Sequence, residues 1–464
     1  MPTLITRLTE GTRAGMAGAA ADSPPQGRRP GTFRQGPRPL PLYLATAATT
    51  WLSSFGSSAA LKAGLPPWNT ESSPDPTASG NQPNAAALKI AELKAQLDAL
   101  EATRRSAGSN SEGAAPSFEE ALDAEIRARL DAFMRGVQAY REHPYNRALS
   151  DPPICWKEGT TRLLDYGAVD PAARDGFPVL VIPSLVNRGY VLDLTPERSL
   201  MRAMAARGLR PFLVDWDRPG DLERTFTLTD YIAGRLEAAL EAVLMITGKR
   251  PAVMGYCMGG LLALALAQRR PRDTGPLALL ATPWDFSADA PASVAALPAA
   301  EPWMGAMIDA AGALPTDMIQ TLFFSLDPMM VIRKFLHFAE LSAESPKARE
   351  FVALEDWLND GVPLSAPVAR EALFGWYGRN SPQKGDWRIA GRAVDPRQVR
   401  NPALVMVPAR DRIVPPASAR ALGDALPNAI RADIALGHIG MVVSQAAPAR
   451  AWNTLFDWLD QNTD

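Results

Sequence analysis

The residues Gly255-Tyr256-Cys257-Met258-Gly259-Gly260 read as G-x-C-x-G-G. The apolar run Pro251-Ala252-Val253-Met254 precedes them and the helical run Leu261-Leu262-Ala263-Leu264 follows. Strand, tight turn and helix together present one side chain at the strand's end, on the helix N-terminus, where the backbone dipole favours a thiolate. Side chains at 255 and 259 would collide with the neighbouring strand and helix, which is why glycine stands there. A nucleophilic thiol needs a base, and the chain has three histidines. His143, in Arg141-Glu142-His143-Pro144, reads as a surface or helix-end residue. His337 lies in the amphipathic helical pattern Lys334-Phe335-Leu336-His337-Phe338. His438 is bracketed by glycines in Gly437-His438-Ile439-Gly440, just after an apolar run at 432–436. Asp411 follows the buried-strand pattern at 403–407 and stands ahead of Pro415-Pro416. The bland readings are an inert buried cysteine and a turn or helix-capping aspartate. Against them stands the chain order of nucleophile, acid, histidine, each at a strand end, which suits a Cys257–His438–Asp411 triad.

In that triad His438 takes the thiol proton and Asp411 orients the imidazole. The tetrahedral oxyanion then needs two donors. The backbone N–H of Met258 is one candidate. The second is the N–H of Leu185, in the loop Ser184-Leu185-Val186-Asn187 after the apolar run at 178–183.

These residues need elements to position them. From about residue 155 apolar runs alternate with helical segments. Strands are expected at 179–182, 211–215, 252–256, 277–281, 403–407 and 432–436. Helices are expected at 197–207, 228–247, 258–268, 417–426 and 449–459. Short apolar strands between helices predict a doubly wound, mostly parallel α/β sheet. From about 286 to 380 the strand rhythm stops, and the segment is rich in Met, Phe and Trp (Trp303, Met304, Phe323, Phe324, Phe335 and Trp357 among them). An inserted helical cap over the site is expected there.

Residues 1–115 differ. Residues 8–39 are rich in Gly, Pro, Ala and Arg and read as disordered. The stretch 40–52 is apolar but interrupted by Ser and Thr. That makes it too polar for a membrane span, and it lies too far from the N-terminus for a secretory signal. Arg28, Arg29, Arg34 and Arg38 precede it, so a helix on a lipid or polymer surface is one reading and a helix packed on the core or on a partner is the preferred one. Residues 66–84 and 106–116 read as linkers and 85–105 as a helix. Residues 116–154 form a helical lead-in, with Leu122, Ile126, Leu130 and Phe133 on one face.

A formal net charge of −2 with 21% charged residues argues against nucleic acid as a partner. No C-x-x-C, H-E-x-x-H or P-loop pattern is present, so no metal or cofactor is expected. Of the two cysteines, Cys155 reads as structural. A Cys155–Cys257 disulfide would silence the elbow, and a cysteine in such a turn favours a reducing compartment.

With these residues in place, positions 155–462 resemble the polyhydroxyalkanoate synthases, α/β-hydrolase-fold enzymes, and among them the short synthases that work with a second subunit. The resemblance rests on the G-x-C-x-G-G box and on Ile182-Pro183-Ser184-Leu185-Val186-Asn187-Arg188-Gly189-Tyr190 leading into Leu192-Asp193-Leu194. It rests also on Asp215-Trp216, Thr282-Pro283-Trp284-Asp285-Phe286, Asp411-Arg412-Ile413-Val414-Pro415-Pro416 and Gly437-His438-Ile439-Gly440. It does not extend to residues 1–115. It implies transfer of (R)-3-hydroxyacyl groups from CoA to a growing polyester through a Cys257 thioester. Asp411 would orient His438 or assist deprotonation of the incoming 3-hydroxyl. Asn187 would belong to the substrate loop. Asp193 is a further acid of the family, read here as structural. A second synthase subunit or a homodimer, a polyester granule surface and a cytoplasmic location are also implied. The competing functions are a hydrolase (polyester depolymerase or thioesterase) with the same triad, and a granule-associated protein with vestigial catalysis.

Overall fold

The computed structural model describes residues 34, 36–62, 118–290 and 292–463. Its centre is an eight-stranded sheet. The strands are β1 (Ile154–Glu158), β2 (Thr161–Asp165), β3 (Phe177–Ile182), β4 (Leu209–Asp215), β5 (Ala252–Tyr256), β6 (Leu277–Leu280), β7 (Ala403–Pro408) and β8 (Ala429–Ile434). Their spatial order is β1-β2-β4-β3-β5-β6-β7-β8. All neighbours from β4 to β8 pair in parallel, whereas β2 runs antiparallel to both β1 and β4.

Side-chain alternation divides each central strand between the two faces. Leu180, Ile182, Val253, Leu279 and Val405 enter one core with the helices α4 (Glu237–Thr247) and α5 (Met258–Arg269). Val179, Val181, Met254, Leu280 and Met406 enter the other with α3 (Leu200–Ala206) and α12 (Asn453–Asn462). Both faces are covered, so the strands read as continuous apolar runs. Helix α5 is buried from Met258 through Gln268, as expected for a helix apolar all round. Cys257 packs at the sheet's end against both cores.

Between β6 and β7 the chain forms helices α6 (Leu297–Ala311), α7 (Thr316–Phe324), α8 (Pro328–Phe338) and α9 (Pro346–Asn359). The short helix α10 (Ala366–Arg370) follows and runs into a π-helical turn, Glu371–Gly378. Helix α11 (Pro416–Ala425) comes after β7. The N-terminal helices α1 (Leu40–Lys62) and α2 (Phe118–Glu142) dock on this insertion rather than on the sheet. Tyr43, Ala47 and Trp51 of α1 and Phe133, Val137 and Tyr140 of α2 share a third core with Val331, Phe335 and Val352. Helix α1 therefore spends its apolar side on protein. No helix among the described residues is long and apolar enough to cross a membrane.

Several expectations are corrected. The β1–β2 hairpin was not expected: β1 is largely exposed, β2 is buried but carries Thr161, Arg162 and Asp165 among its five residues, and Gly159 at φ 57° turns between them. Strand β8 starts at Ala429 rather than 432, because it is an edge strand with Arg431 and Asp433 outside its core contact. Helix α3 begins at Leu200, since Arg198–Ser199 first pairs with Asp193–Thr195 and Ser199 then caps the helix, accepting from Arg202 N at 2.9 Å. The disordered reading of 8–39 fails for its last residues. Arg34 is 5% exposed, its Nε donates to Asp356 Oδ1 at 2.6 Å, and Arg38 N donates to Asn359 Oδ1 at 2.7 Å. The disulfide alternative is excluded, because both cysteines are free. The readings for 8–33, 66–84, 85–105 and 106–116 lie outside the described residues.

Candidate active site

Cys257 sits between β5 and α5 with φ 57° and ψ −128°, a conformation L-residues rarely adopt. Its N–H is fixed to Leu280 O on β6 at 2.8 Å. The flanking glycines make the turn feasible. A Cβ at Gly259 would stand 2.1 Å from Ile182 O at the end of β3. A Cβ at Gly255 would stand 2.4 Å from Gly260 Cα, and one at Gly260 would stand 1.8 Å from Thr282 Oγ1. The third glycine's role, against the loop after β6, was not read from the sequence.

Asp411 follows β7 and His438 follows β8, so the parallel register delivers both to the same sheet edge as Cys257. His438 Nδ1 lies 2.6 Å from Asp411 Oδ2. The other carboxylate oxygen accepts from Ile413 N at 2.8 Å and Val414 N at 2.9 Å, so the carboxylate cannot swing. Tyr256 donates from its hydroxyl to His438 O at 3.2 Å, and its ring lies 5.3 Å from the imidazole. Asp411 and His438 are both buried. Burial works against the imidazolium, but the charge of Cys257 and the hydrogen bond and charge of Asp411 outweigh it and raise His438 to about 10. Sulfur and imidazole are thus within interaction range, although no well-aligned Sγ–Nε2 hydrogen bond joins them. Catalytic pairs in unliganded enzymes commonly show such loose geometry.

The other two histidines lie elsewhere. His143 is buried at the end of α2, with Nε2 2.9 Å from Ala343 O, and burial pushes its pKa down. His337 is on the exposed face of α8. Cys155 is half-buried on β1, and burial raises its thiol to about 11, which makes it unreactive.

In front of Cys257 opens a cavity of about 170 Å³. Ser184 and Val186 of the β3 loop, Met258, and Ile413 of the acid loop line it from the sheet side. Leu314, Ile319, Phe323 and Tyr377 of the insertion face them. The β3 loop is stitched to the insertion: Trp357 Nε1 donates to Arg188 O at 2.7 Å. Of the other sequence candidates, Met258 begins α5, where first-turn N–H groups lack intrahelical partners. The side chain of Leu185 is buried in the core, so only its backbone could serve the site. Asn187, at φ 64°, turns its Oδ1 toward Gln320 Nε2 at 3.4 Å rather than lining the cavity. Asp193 is fully buried, receives hydrogen bonds from Tyr166, Ser199, Arg147 and Arg202, and does not line the cavity. Tyr256 and Tyr377 were missed. Tyr256 occupies an x position of the G-x-C-x-G-G elbow, and Tyr377 is one aromatic among many in the insertion.

The family model of the alpha/beta hydrolase fold matches residues 178–444. The chain is 27% identical over 317 residues to the poly(3-hydroxyalkanoate) polymerase subunit PhaC of Haloferax mediterranei, covering 67% of this chain and 64% of that protein. It is 30% identical over 295 residues to the subunit of that name from Synechocystis sp., covering 61% of this chain and 78% of that protein. With the Allochromatium vinosum subunit it shares 26% identity over 288 residues, covering 61% and 81%. The chain thus spans a little under two thirds of the haloarchaeal relative's length and about four fifths of the other two.

Proposed function

This chain belongs to the poly(3-hydroxyalkanoate) polymerase subunits within the alpha/beta hydrolase family, and on that premise we propose that it transfers (R)-3-hydroxyacyl groups from CoA to a growing polyester held on Cys257. The observation that carries this is the positive-φ cysteine facing a buried imidazole–carboxylate pair below an apolar cavity. With Nδ1 committed to Asp411, Nε2 is the nitrogen left for the thiol. His438 takes the Cys257 proton, and the thiolate attacks the thioester carbonyl of acyl-CoA. The N–H groups of Met258 and Leu185 receive the oxyanion. The intermediate collapses with cleavage of the carbon–sulfur bond to CoA, whose thiolate takes the proton from His438. In the second half-reaction the 3-hydroxyl of a further acyl-CoA gives its proton to His438 and its oxygen attacks the enzyme thioester. The Cys257 thiolate leaves, and the lengthened chain, now a CoA thioester, is taken back onto Cys257 by a repeat of the first step. No step needs a cofactor. Thioester exchange is nearly balanced, and the apolar cavity walls keep water from the acyl-enzyme.

In this reading Asp411 orients His438, Asp193 is structural and Asn187 shapes the β3 loop. The polyester chain and a second synthase subunit, or a second copy of the chain, are its partners, with a granule surface in the cytoplasm as its site of action. The test is incubation of the purified chain with 3-hydroxybutyryl-CoA. CoA release with insoluble polyester is the expected outcome. CoA release with only free acid would instead establish a hydrolase, and no release would leave the triad vestigial. Cys257→Ser should lose at least ~100-fold in CoA release, because the same imidazole cannot form a serine alkoxide as readily as a thiolate.

A further inference from the structure

Almost every polar side chain lining the cavity already has a partner. Ser184 Oγ accepts from Val186 N at 3.0 Å, and Ser418 Oγ accepts from Trp284 N at 3.1 Å. Ser325 Oγ donates to Leu322 O at 2.7 Å. Asp285 Oδ1 receives Ser287 and Asn380. Apart from Cys257, two donors among the lining residues make no hydrogen bond among the described residues: the Trp376 indole Nε1, which is wholly enclosed and out of a ligand's reach, and the hydroxyl of Tyr377, which is only half-buried.

The position of that hydroxyl is fixed. Tyr377 lies in the π-helical turn Glu371–Gly378, an irregularity frequent at functional sites. Phe286 meets its ring edge-on, with centroids 4.8 Å apart. Asn380, at φ 54°, pins the end of the turn to the loop after β6. Its Oδ1 accepts from Phe286 N at 2.9 Å, and its Nδ2 donates to Asp285 Oδ1 at 2.7 Å and Ser287 Oγ at 3.0 Å. Burial, followed by the charges of Cys257 and Asp411, pushes the phenol's pKa up, so it remains a donor across the working range. A donor that lines the cavity without a protein partner is free to meet an acceptor that arrives with the ligand.

We propose that Tyr377 donates a hydrogen bond to the 3-oxygen of the acyl group on Cys257 and thereby selects 3-oxygenated acyl chains over unsubstituted ones. The assignment rests on the acyl-transfer reading above. The acyl carbonyl is served from the sheet side by backbone N–H groups, whereas Tyr377 comes from the insertion, on the opposite wall. The remaining wall (Leu314, Ile319, Leu322, Leu373) is apolar. Such a wall cannot tell a hydroxyl from a hydrogen, whereas a dedicated hydrogen-bonding group can.

The experiment compares CoA release from 3-hydroxybutyryl-CoA and butyryl-CoA, in wild type and Tyr377→Phe, as the ratio of kcat/KM. Iodoacetamide labelling of Cys257 at the wild-type rate shows that the variant's site is intact. The expected result is a 3-hydroxyacyl preference reduced about 3- to 10-fold, the worth of one neutral hydrogen bond. A ratio equal to wild type, with both rates falling together or neither changing, overturns the assignment of Tyr377 while leaving acyl transfer in place. If wild-type Cys257 accepts neither acyl group, the acyl-transfer reading fails and takes this assignment with it.

Discussion

The proton on His438 is contested by burial, which would expel it, and by Cys257 and Asp411, which hold it and win. Folding therefore raises the imidazole from its ordinary 6.5 to about 10. A raised base stabilises the folded state while protonated. That contribution is complete below about pH 6.5 and is lost as pH climbs toward 10. The same proton belongs to the thiolate–imidazolium pair, so kcat/KM for CoA release should hold into mild alkali and fall as pH passes about 10. Asp411→Asn tests the cause. Its Oδ1 can still accept from Ile413 N and Val414 N, so the loop keeps its shape. Its NH₂, however, then faces Nδ1 and forces the proton onto Nε2, the wrong tautomer for receiving one from Cys257. The alkaline limb should move to lower pH, and activity should fall by about 100-fold or more. NMR titration of the His438 imidazole in wild type and Asp411→Asn checks the first point. An unmoved His438 titration in Asp411→Asn would contradict this account.

At the scale of elements, the cavity depends on helices held by close backbone contact. Helix α2 crosses α8 at Gly136, where a Cβ would stand 2.1 Å from Phe335 O, a backbone atom that cannot swing aside. Gly136→Ala gains up to ~1 kcal/mol of helix propensity and incurs about 1–3 kcal/mol of overpacking. Net destabilisation by roughly 1 kcal/mol is expected in urea unfolding. Gly234, in the turn Asp230–Leu236 before α4, has nothing within 4 Å of its missing Cβ. Its alanine variant should instead be neutral or more stable by ~0.5 kcal/mol. Destabilisation of equal size at both positions would refute the contact argument. The same contrast explains what was legible beforehand. Strands β3 to β7 and helix α5 are covered on every side, so burial wrote itself into unbroken apolar runs, and the elbow's glycines marked where those elements nearly touch. Strands β1 and β8 lie at the free edges of the sheet with exposed residues, and β8 is broken by Arg431 and Asp433; β2, though buried, is broken by Arg162, which pairs with Asp215. Tyr377 carried no local signal, because its significance lies in which neighbours lack partners, a property of the assembled cavity.

At the scale of the whole molecule, the sheet and the N-terminal helices are joined through the insertion. The third core unites α1 and α2 with α8 and α9 and includes no residue of the sheet. One side chain ties this arrangement together. Arg34 reaches Asp356 of α9 through Nε at 2.6 Å, Tyr145 O through Nη2 at 2.5 Å, and His143 O through Nη1. It links the segment before α1, the end of the lead-in and the insertion, across 322 positions of sequence. Its side chain is 3% exposed and that of Asp356 is 26% exposed. Arg34→Ala takes a donor from one buried carbonyl (His143), one partly buried carbonyl (Tyr145) and the Asp356 carboxylate. Asp356 keeps the Tyr140 hydroxyl at 3.0 Å and some solvent, which limits the loss to about 2 kcal/mol. Arg34→Lys should not restore it, because one ammonium cannot span three acceptors arranged for a planar fork. Loosening this brace should also free the insertion above the sulfur, so iodoacetamide should label Cys257 faster in Arg34→Ala than in wild type, well below the unfolding midpoint. Wild-type stability together with a wild-type labelling rate would mean that the N-terminal segment rests on the insertion without bracing it.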